Sequence, residues 1–151
     1  TFDPATKGHI DIARRAASIF TKVIAVVADN LGKKKPLFSA IERVQLLRDA
    51  LKDQKKIEVI SYAGLIVQCL REQNATVIIR GLRAISDFDY EFQMAYTNRN
   101  MNDEAETVFL MPSAEFTYLN SSMVKQIARL GGDITGMVPP CVAEKLYEKL
   151  Q

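Results

Sequence analysis

The sequence is poor in the residues that build metal centres and disulfide frameworks. Its 151 residues include one histidine, His9, and two cysteines, Cys69 and Cys141, which lie far apart and match no metal-ligand spacing. A single imidazole excludes a zinc site rich in histidines. Free thiols in a chain without an export leader favour a reducing compartment, so we expect a cytoplasmic protein.

Long hydrophobic runs and an excess of one charge are also lacking. The longest strongly apolar run, Val23–Ala28, has six residues, far fewer than the roughly 20 that cross a bilayer. Lys and Arg number 20 against 18 Asp and Glu, a net charge of +2, whereas a nucleic-acid coat carries a larger basic excess. We therefore expect neither a membrane nor a nucleic acid among the partners.

The residues that are present indicate one α/β domain over residues 1–151. Hydrophobic residues make up 48% and charged residues 25%, an ordinary globular composition. Strand-like segments are predicted at 22–28, 57–60, 76–79 and 107–111, the third broken by Gly81, and helices lie between and after them. This alternation predicts a doubly wound parallel sheet flanked by helices. A further short strand is expected ahead of Thr1, outside this sequence.

Helix signals add detail to this prediction. Ser39 with Glu42 forms a capping box, and the helix that follows has an apolar face through Ile41 and Leu47. Gly131-Gly132 predicts the end of a helix over 121–130.

The helix that begins near Ser86 carries two stripes of different chemistry. Phe88, Phe92 and Ala95 form a candidate core face. The other stripe suits either the wall of a pocket or the boundary of the domain, and it contains Asp87, Glu91, Met94 and Asn98.

Cations, hydroxyls and helix starts follow the predicted strands. These segments are Thr1-Phe2-Asp3-Pro4 with Thr6-Lys7-Gly8-His9, then Lys33-Lys34-Lys35, Arg80-Gly81-Leu82-Arg83 and Ser121-Ser122. Ligands of open α/β sheets bind beyond the carboxyl ends of the strands, so the pattern predicts a polyanion site. Neither a Walker pattern nor a GxGxxG segment is present.

Each of these segments also has a plain structural interpretation. His9 can pack or cap its helix, and the lysines can lie in a solvated loop. Arg80 and Arg83 can be ion-pair partners within the fold, and the two serines can be N-cap residues. Only their joint occurrence at strand ends favours a binding site.

Together with Asp87-x-x-Tyr90-Glu91, these segments occur in the order and spacing of a known family. The sequence resembles the bacterial phosphopantetheine adenylyltransferases from Thr1 to the C-terminal helix. The resemblance implies a Rossmann-like fold and a homohexamer built from two trimers. It further implies that ATP and phosphopantetheine give dephospho-coenzyme A and pyrophosphate, with Mg²⁺ bound mainly through the ATP phosphates. Feedback by coenzyme A is left open.

The resemblance also assigns roles to residues. It implies that the catalytic residues are His9, Lys34 and Arg83, and it implies no metal ligand from the protein. The residues that it implies for ATP are Thr1, Phe2, His9, Gly81, Leu82, Arg83, Glu91, Phe116, Thr117, Tyr118, Leu119, Asn120, Ser121 and Ser122. For phosphopantetheine, Thr1, Lys34, Ile66 and Arg80 are implied, with Met94 and Asn98 as further neighbours.

This chemistry needs no general base, because the attacking phosphate oxygen is already anionic at neutral pH. Lys34 and Arg80 are expected to orient that phosphate, and His9 to donate to an oxygen of the α-phosphate. Two alternatives stay open: a nucleotidyltransferase that acts on another phosphate acceptor, and a noncatalytic nucleotide-binding module.

Overall fold

The computed structural model describes residues 2–28, 36–83 and 85–150, except the side chains of residues 85 and 86. The helices are α1 (Lys7–Ile19), α2 (Ala40–Ala50), α3 (Ile66–Glu72), α4 (Ile85–Met101), α5 (Ser121–Arg129) and α6 (Pro140–Leu150). The strands are β1 (Val23–Ala28), β2 (Ile57–Tyr62), β3 (Val77–Gly81) and β4 (Glu106–Leu110). A short 3₁₀ helix spans Ala114–Phe116. The predicted alternation of strands and helices is confirmed.

All strand pairing in the described residues is parallel. β1 pairs with β2 from Val23–Ile57 onward, and β3 pairs with β4 from Val77–Glu106 onward. The parallel strands flanked by helices agree with the predicted fold class. They form two pairs rather than one continuous sheet, since no described strand bonds to both pairs. α1 contacts β1 as well as β3 and β4, so this helix connects the two pairs.

The end of β3 differs from the prediction. Gly81 does not break the strand but is its last residue, and the next amide, of Leu82, still donates to the carbonyl of Leu110 (3.0 Å). A Cβ on Gly81 would lie 3.3 Å from Cγ1 of Ile12. Glycine therefore lets α1 pack closely against the strand end from which Arg80 and Arg83 follow.

Both predicted helix signals are confirmed. Ser39 caps α2, and Glu42 completes the box by accepting from the backbone N–H of Ser39 (2.7 Å). Gly131 has φ +76°, and the amide of Gly132 donates to the carbonyl of Ile127 (2.9 Å). This is the Schellman arrangement that closes a helix with a left-handed glycine.

The core lies in three clusters. The first joins α2, α5 and α6 around Phe38 and Leu146, the second joins α1 and α2 to β1 and β2, and the third lies between α3 and the second strand pair. Ile41 was predicted on the apolar face of α2 but is 82% exposed. Ile41 lies on the same side of the helix as the exposed Gln45 and Arg48, whereas the buried side consists of Arg43, Leu46 and Leu47.

The two stripes of α4 differ from the prediction: the aromatic residues expected in the core are exposed, and part of the polar stripe is buried. Phe88 and Phe92 are 43% and 44% exposed, and Ala95 is half-buried. Asn98 is buried, and the Glu91 side chain is 12% exposed. An ion pair between Glu91 and Arg80 of β3 accounts for this, because it turns the polar stripe of the helix toward the protein.

Among the described residues, no helix combines the length and the apolar character that a membrane crossing requires.

Candidate active site

The loop before α1 is held by the carboxylate of Asp3. Its oxygens accept from the backbone amides of Leu37 (3.1 Å) and Phe38 (2.9 Å) and from Nζ of Lys125 (2.8 Å). Burial by itself would raise the pKa of Asp3, but these donors outweigh it and lower the pKa. The peptide bond that follows, Asp3–Pro4, is cis. One carboxylate thus fixes the first loop to the segment before α2 and to α5.

His9 closes the first turn of α1 through a capping box with Thr6. The backbone N–H of Thr6 donates to Nδ1 of His9 (2.9 Å), the Thr6 hydroxyl lies 2.8 Å from the same atom, and the amide of His9 donates back to that hydroxyl (3.4 Å). A backbone N–H can only donate, so Nδ1 is an acceptor and the neutral ring carries its proton on Nε2. The cap therefore selects the tautomer that leaves an N–H donor on the opposite side of the ring.

The surroundings of His9 keep the ring neutral. Burial, followed by the positive charges of Arg83 and Arg80, lowers the pKa of His9 from 6.5 to about 4. Phe2 has φ +54°, a left-handed conformation that is strained for a bulky side chain, and its ring meets the imidazole edge-on with centroids 5.0 Å apart. His9 can thus donate a hydrogen bond at neutral pH without carrying a charge.

Arg80 forms a bidentate ion pair with Glu91. Its Nε donates to one carboxylate oxygen (2.7 Å) and its Nη2 to the other (2.6 Å). This hydrogen bond raises the pKa of Arg80 further above its usual value, although burial acts in the opposite direction. The Arg80 side chain is still 41% exposed, so part of the guanidinium remains accessible to a ligand.

Arg83 connects α4 to the loop before α5. Its Nε donates to Asp87 (3.2 Å), and its Nη1 donates to the carbonyl of Leu119 (2.9 Å). Both arginines at the end of β3 therefore have the ion-pair role that the sequence left open. Neither contact uses all of the donors of a guanidinium, which has five N–H groups.

The start of α5 corrects one expectation about the serines. The N-cap is Asn120, whose Oδ1 accepts from the amide of Met123 (2.8 Å). Ser121 instead donates its hydroxyl to the carbonyl of Pro4 (2.8 Å), and Ser122 is exposed. The amide side chain caps this helix because it lies one position ahead of the serines, where its oxygen reaches the third helical amide.

The loop between β4 and α5 is anchored on α1. Asp11 accepts from the amide (2.8 Å) and the hydroxyl (3.2 Å) of Ser113, and Arg15 donates to that hydroxyl (2.8 Å). A Cβ on Gly8 would lie 3.4 Å from Cβ of Phe116, so the two backbones approach closely. The stretch 116–122 thus lies against the start of α1.

Several implied site residues lie elsewhere or outside the described part. Thr1 and Lys34, with Lys33 and Lys35 beside it, fall outside the described residues. Half-buried Ile66 begins α3 and packs on the third core cluster. On α4, Met94 is exposed and Asn98 is buried. The residues that the structure does bring together are His9, Arg80, Arg83 and the two helix starts.

Sequence reasoning missed the residues that hold this site. Thr6 could have been found, because Thr-x-x-His has the spacing of a capping box. Asp11 and Lys125 gave no local signal, since their partners, Ser113 and Asp3, are more than a hundred residues away along the chain.

The assembled groups suit an anionic ligand. Two guanidinium groups lower the pKa of a neutral imidazole, and the N-termini of α1 and α5 favour negative charge near them. In the described part of the chain, no group of three or more His, Cys, Asp or Glu side chains could hold a metal ion.

Comparisons with known proteins agree with this chemistry. A cytidylyltransferase-like family model matches residues 1–127. A phosphopantetheine adenylyltransferase from Dictyoglomus turgidum is 52% identical over 151 residues, covering 100% of this chain and 94% of that protein. One from Aromatoleum aromaticum is 48% identical over 150 residues, covering 99% and 91%. The chain belongs to the phosphopantetheine adenylyltransferase family.

Membership of the phosphopantetheine adenylyltransferase family fits the unusual state of the single histidine. Phosphoryl-group chemistry depends on positioning and charge stabilisation more than on proton abstraction. A neutral imidazole with a fixed Nε2–H suits that requirement.

The state of His9 can be measured directly, because the only histidine gives ring signals that need no assignment. We expect its ring proton shifts to stay constant between pH 8 and 5 and to move only near pH 4, with the ring ¹⁵N shifts of an Nε2–H tautomer. The same protein unfolded in urea should titrate near 6.5. A titration near 6.5 in the folded protein would contradict the burial argument.

Proposed function

We propose that the protein transfers the adenylyl group of ATP to the phosphate of phosphopantetheine, giving dephospho-coenzyme A and pyrophosphate, in coenzyme A biosynthesis. An oxygen of the acceptor phosphate forms a bond to the α-phosphorus of ATP. The bond from that phosphorus to the bridging oxygen breaks, and pyrophosphate leaves. The observation that carries the proposal is a neutral His9 with a fixed Nε2–H donor, close enough to two arginines for their charges to lower its pKa.

On the proposed assignment, His9 donates from Nε2 to an oxygen of the α-phosphate. Arg80, with Lys34 and Thr1, holds the attacking phosphate. Arg83 stabilises the negative charge that develops on the leaving pyrophosphate. The ion pairs of both arginines support this division, because each leaves donors of its guanidinium available.

The remaining assignments stay proposals that follow the family resemblance. Ile66, Met94 and Asn98 are proposed neighbours of the pantetheine arm, and the close approach of Phe116 to Gly8 supports a nucleotide site beside α1. The residues proposed to contact ATP in addition to His9 and Arg83 are Thr1, Phe2, Gly81, Leu82, Glu91 and the stretch 116–122.

Magnesium enters this proposal as part of the substrate. The described residues provide no cluster of carboxylates that would hold a divalent ion by themselves. Mg²⁺ keeps several waters and binds readily through substrate phosphates, so we propose that it arrives as the ATP complex.

Both cysteines are free thiols, which is consistent with the reducing cytoplasm that we propose as the location.

The activity is tested by measuring pyrophosphate release from ATP and Mg²⁺ with and without phosphopantetheine. We expect release that depends on phosphopantetheine, with an equal amount of dephospho-coenzyme A. Release with a mononucleotide or glycerol phosphate in its place would replace the proposed acceptor. ATP binding without any release would support a noncatalytic module.

The role of His9 is tested by two substitutions that differ in what they keep. His9→Ala should lower kcat about a hundredfold, since a donor that stabilises developing charge is worth roughly 3 kcal/mol. His9→Gln should recover part of this loss, because Gln at the third helical position can keep the capping box and still present an N–H. The measurement is steady-state kinetics together with ATP binding by calorimetry. Equal losses of binding and turnover in His9→Ala would make the residue an anchor for ATP.

We also propose that the protein is a homohexamer and that an aromatic face on α4 forms one of its interfaces. This face consists of Phe88, Phe92 and Tyr96 in a row, with ring centroids 5.4 and 4.8 Å apart, and Phe109 of β4, 6.4 Å from Phe88. A cluster of exposed aromatic rings commonly marks a protein interface.

A polar pair at the edge of the aromatic face supports a second copy as its occupant. Arg99 and Glu106 pair across this edge (3.3 Å), which offers both charges to a copy of the same surface.

The interface is tested by placing a charge in the aromatic face. Tyr96→Glu should dissociate the assembly, measured by light scattering after size exclusion, because a carboxylate would be buried without a partner. Ile41→Glu, at a more exposed apolar position on α2, is the matched control and should leave the mass unchanged. A monomeric wild-type protein would refute the hexamer. A Tyr96→Glu protein of unchanged mass would refute this choice of interface.

A further inference from the structure

The contact between Arg80 and Glu91 joins two elements of the site. Arg80 is the penultimate residue of β3, and Glu91 lies two turns into α4. The Glu91 side chain is mostly buried against the arginine, which donates to no other partner among the described residues. The pair is therefore more than a surface contact, since its geometry is bidentate and the carboxylate is largely shielded from solvent.

The geometry of the pair decides which donors stay available. Glu91 takes the Nε–H and one N–H of Nη2, two of the five donors of the guanidinium. Of the three that remain, one on Nη1 and one on Nη2 lie side by side at the end of the planar group. That end presents two parallel N–H bonds, the arrangement that binds phosphate in a bidentate manner.

We infer that Glu91 is a positioning residue for the acceptor phosphate: it fixes the plane of Arg80 so that the end of the guanidinium points at the phosphate of phosphopantetheine. This inference rests on the proposed function. It differs from the nucleotide contact that the family resemblance implies for Glu91. The carboxylate acts on the acceptor phosphate through Arg80, in addition to the nucleotide contact proposed for Glu91 above.

Two opposing effects follow from the placement of a carboxylate beside a phosphate site. Its charge repels the incoming phosphate, whereas its two hydrogen bonds remove the rotational freedom that Arg80 would otherwise lose on binding. Gln at this position keeps one acceptor, but its amide nitrogen faces a guanidinium N–H, so the bidentate hold is lost. In Glu91→Gln we therefore expect the loss of orientation of Arg80 to weaken phosphate binding more than the removal of the negative charge strengthens it.

The test combines Glu91→Gln with Arg80→Lys. Glu91→Gln should lower kcat/KM for phosphopantetheine about tenfold, the effect of losing one charge-assisted hydrogen bond. Lysine keeps the charge of Arg80 but has no planar fork. In the Arg80→Lys background, Glu91→Gln should therefore change kcat/KM for phosphopantetheine less than twofold.

A control variant and a second measurement complete the test. Glu58 of β2 forms an exposed ion pair with Lys22. Glu58→Gln therefore makes the same chemical change away from the site and should leave every kinetic constant unchanged. If Arg80→Lys turns over too slowly to assay, calorimetry measures the binding of phosphopantetheine without ATP to the wild-type protein, the two single variants and the double variant.

Each outcome decides the matter. An effect of Glu91→Gln confined to the KM for ATP, or one of equal size in the Arg80→Lys background, would overturn the inference and return Glu91 to the nucleotide. Absence of dephospho-coenzyme A formation by the wild-type protein would instead refute the proposed function, and this inference would fall with it.

Discussion

The Asp3 carboxylate holds together three segments that are distant along the chain. It accepts two backbone amides from the segment before α2 and the ammonium of Lys125 from α5, while its own loop leads directly into α1. Ser121 adds a contact from α5 to the carbonyl of Pro4. Both helix starts that face the proposed phosphates are thus oriented by one small group. A mostly buried carboxylate satisfied by three donors is costly to disturb, because loss of a donor leaves part of its charge uncompensated.

The same pairing of opposite charges recurs around the site. Arg80 is held by Glu91, Arg83 by Asp87, and Lys125 by Asp3. In each pair the carboxylate lies beside the cation in the free protein, so the cation does not have to be ordered when a polyanion arrives. Preorganisation of this kind is what a reaction between two anionic substrates requires, since the main barrier is to bring them together in the right orientation.

His9 shows how one side chain meets a structural and a chemical requirement together. Its Nδ1 completes the cap of α1, and that contact leaves the proton on Nε2. Burial and the neighbouring arginines keep the ring uncharged. The capping role that the sequence offered as the plain interpretation and the donor role implied by the family are therefore consequences of the same geometry.

The sequence by itself determined the elements and their order, because hydrophobic periodicity, the Ser39–Glu42 box and the Gly131-Gly132 stop are local signals that act within a few residues. It also singled out Arg80 and Arg83, which the structure places at and just after the end of β3. The orientation of α4 was decided only by the tertiary structure: Glu91 faces Arg80 of β3, whereas Phe88 and Phe92 lie on the exposed face that we propose as an interface.

The partners of the site residues were likewise beyond the sequence. Asp3 with Lys125, and Asp11 with Ser113, are joined by contacts between segments far apart in the chain, and no periodicity encodes such contacts. Even the neutral state of His9, whose tautomer follows from the local Thr-x-x-His cap, depends on the fold to bury the ring and to bring Arg80 and Arg83 near it. Local sequence fixes which groups are available, and packing fixes which of their atoms remain free to bind.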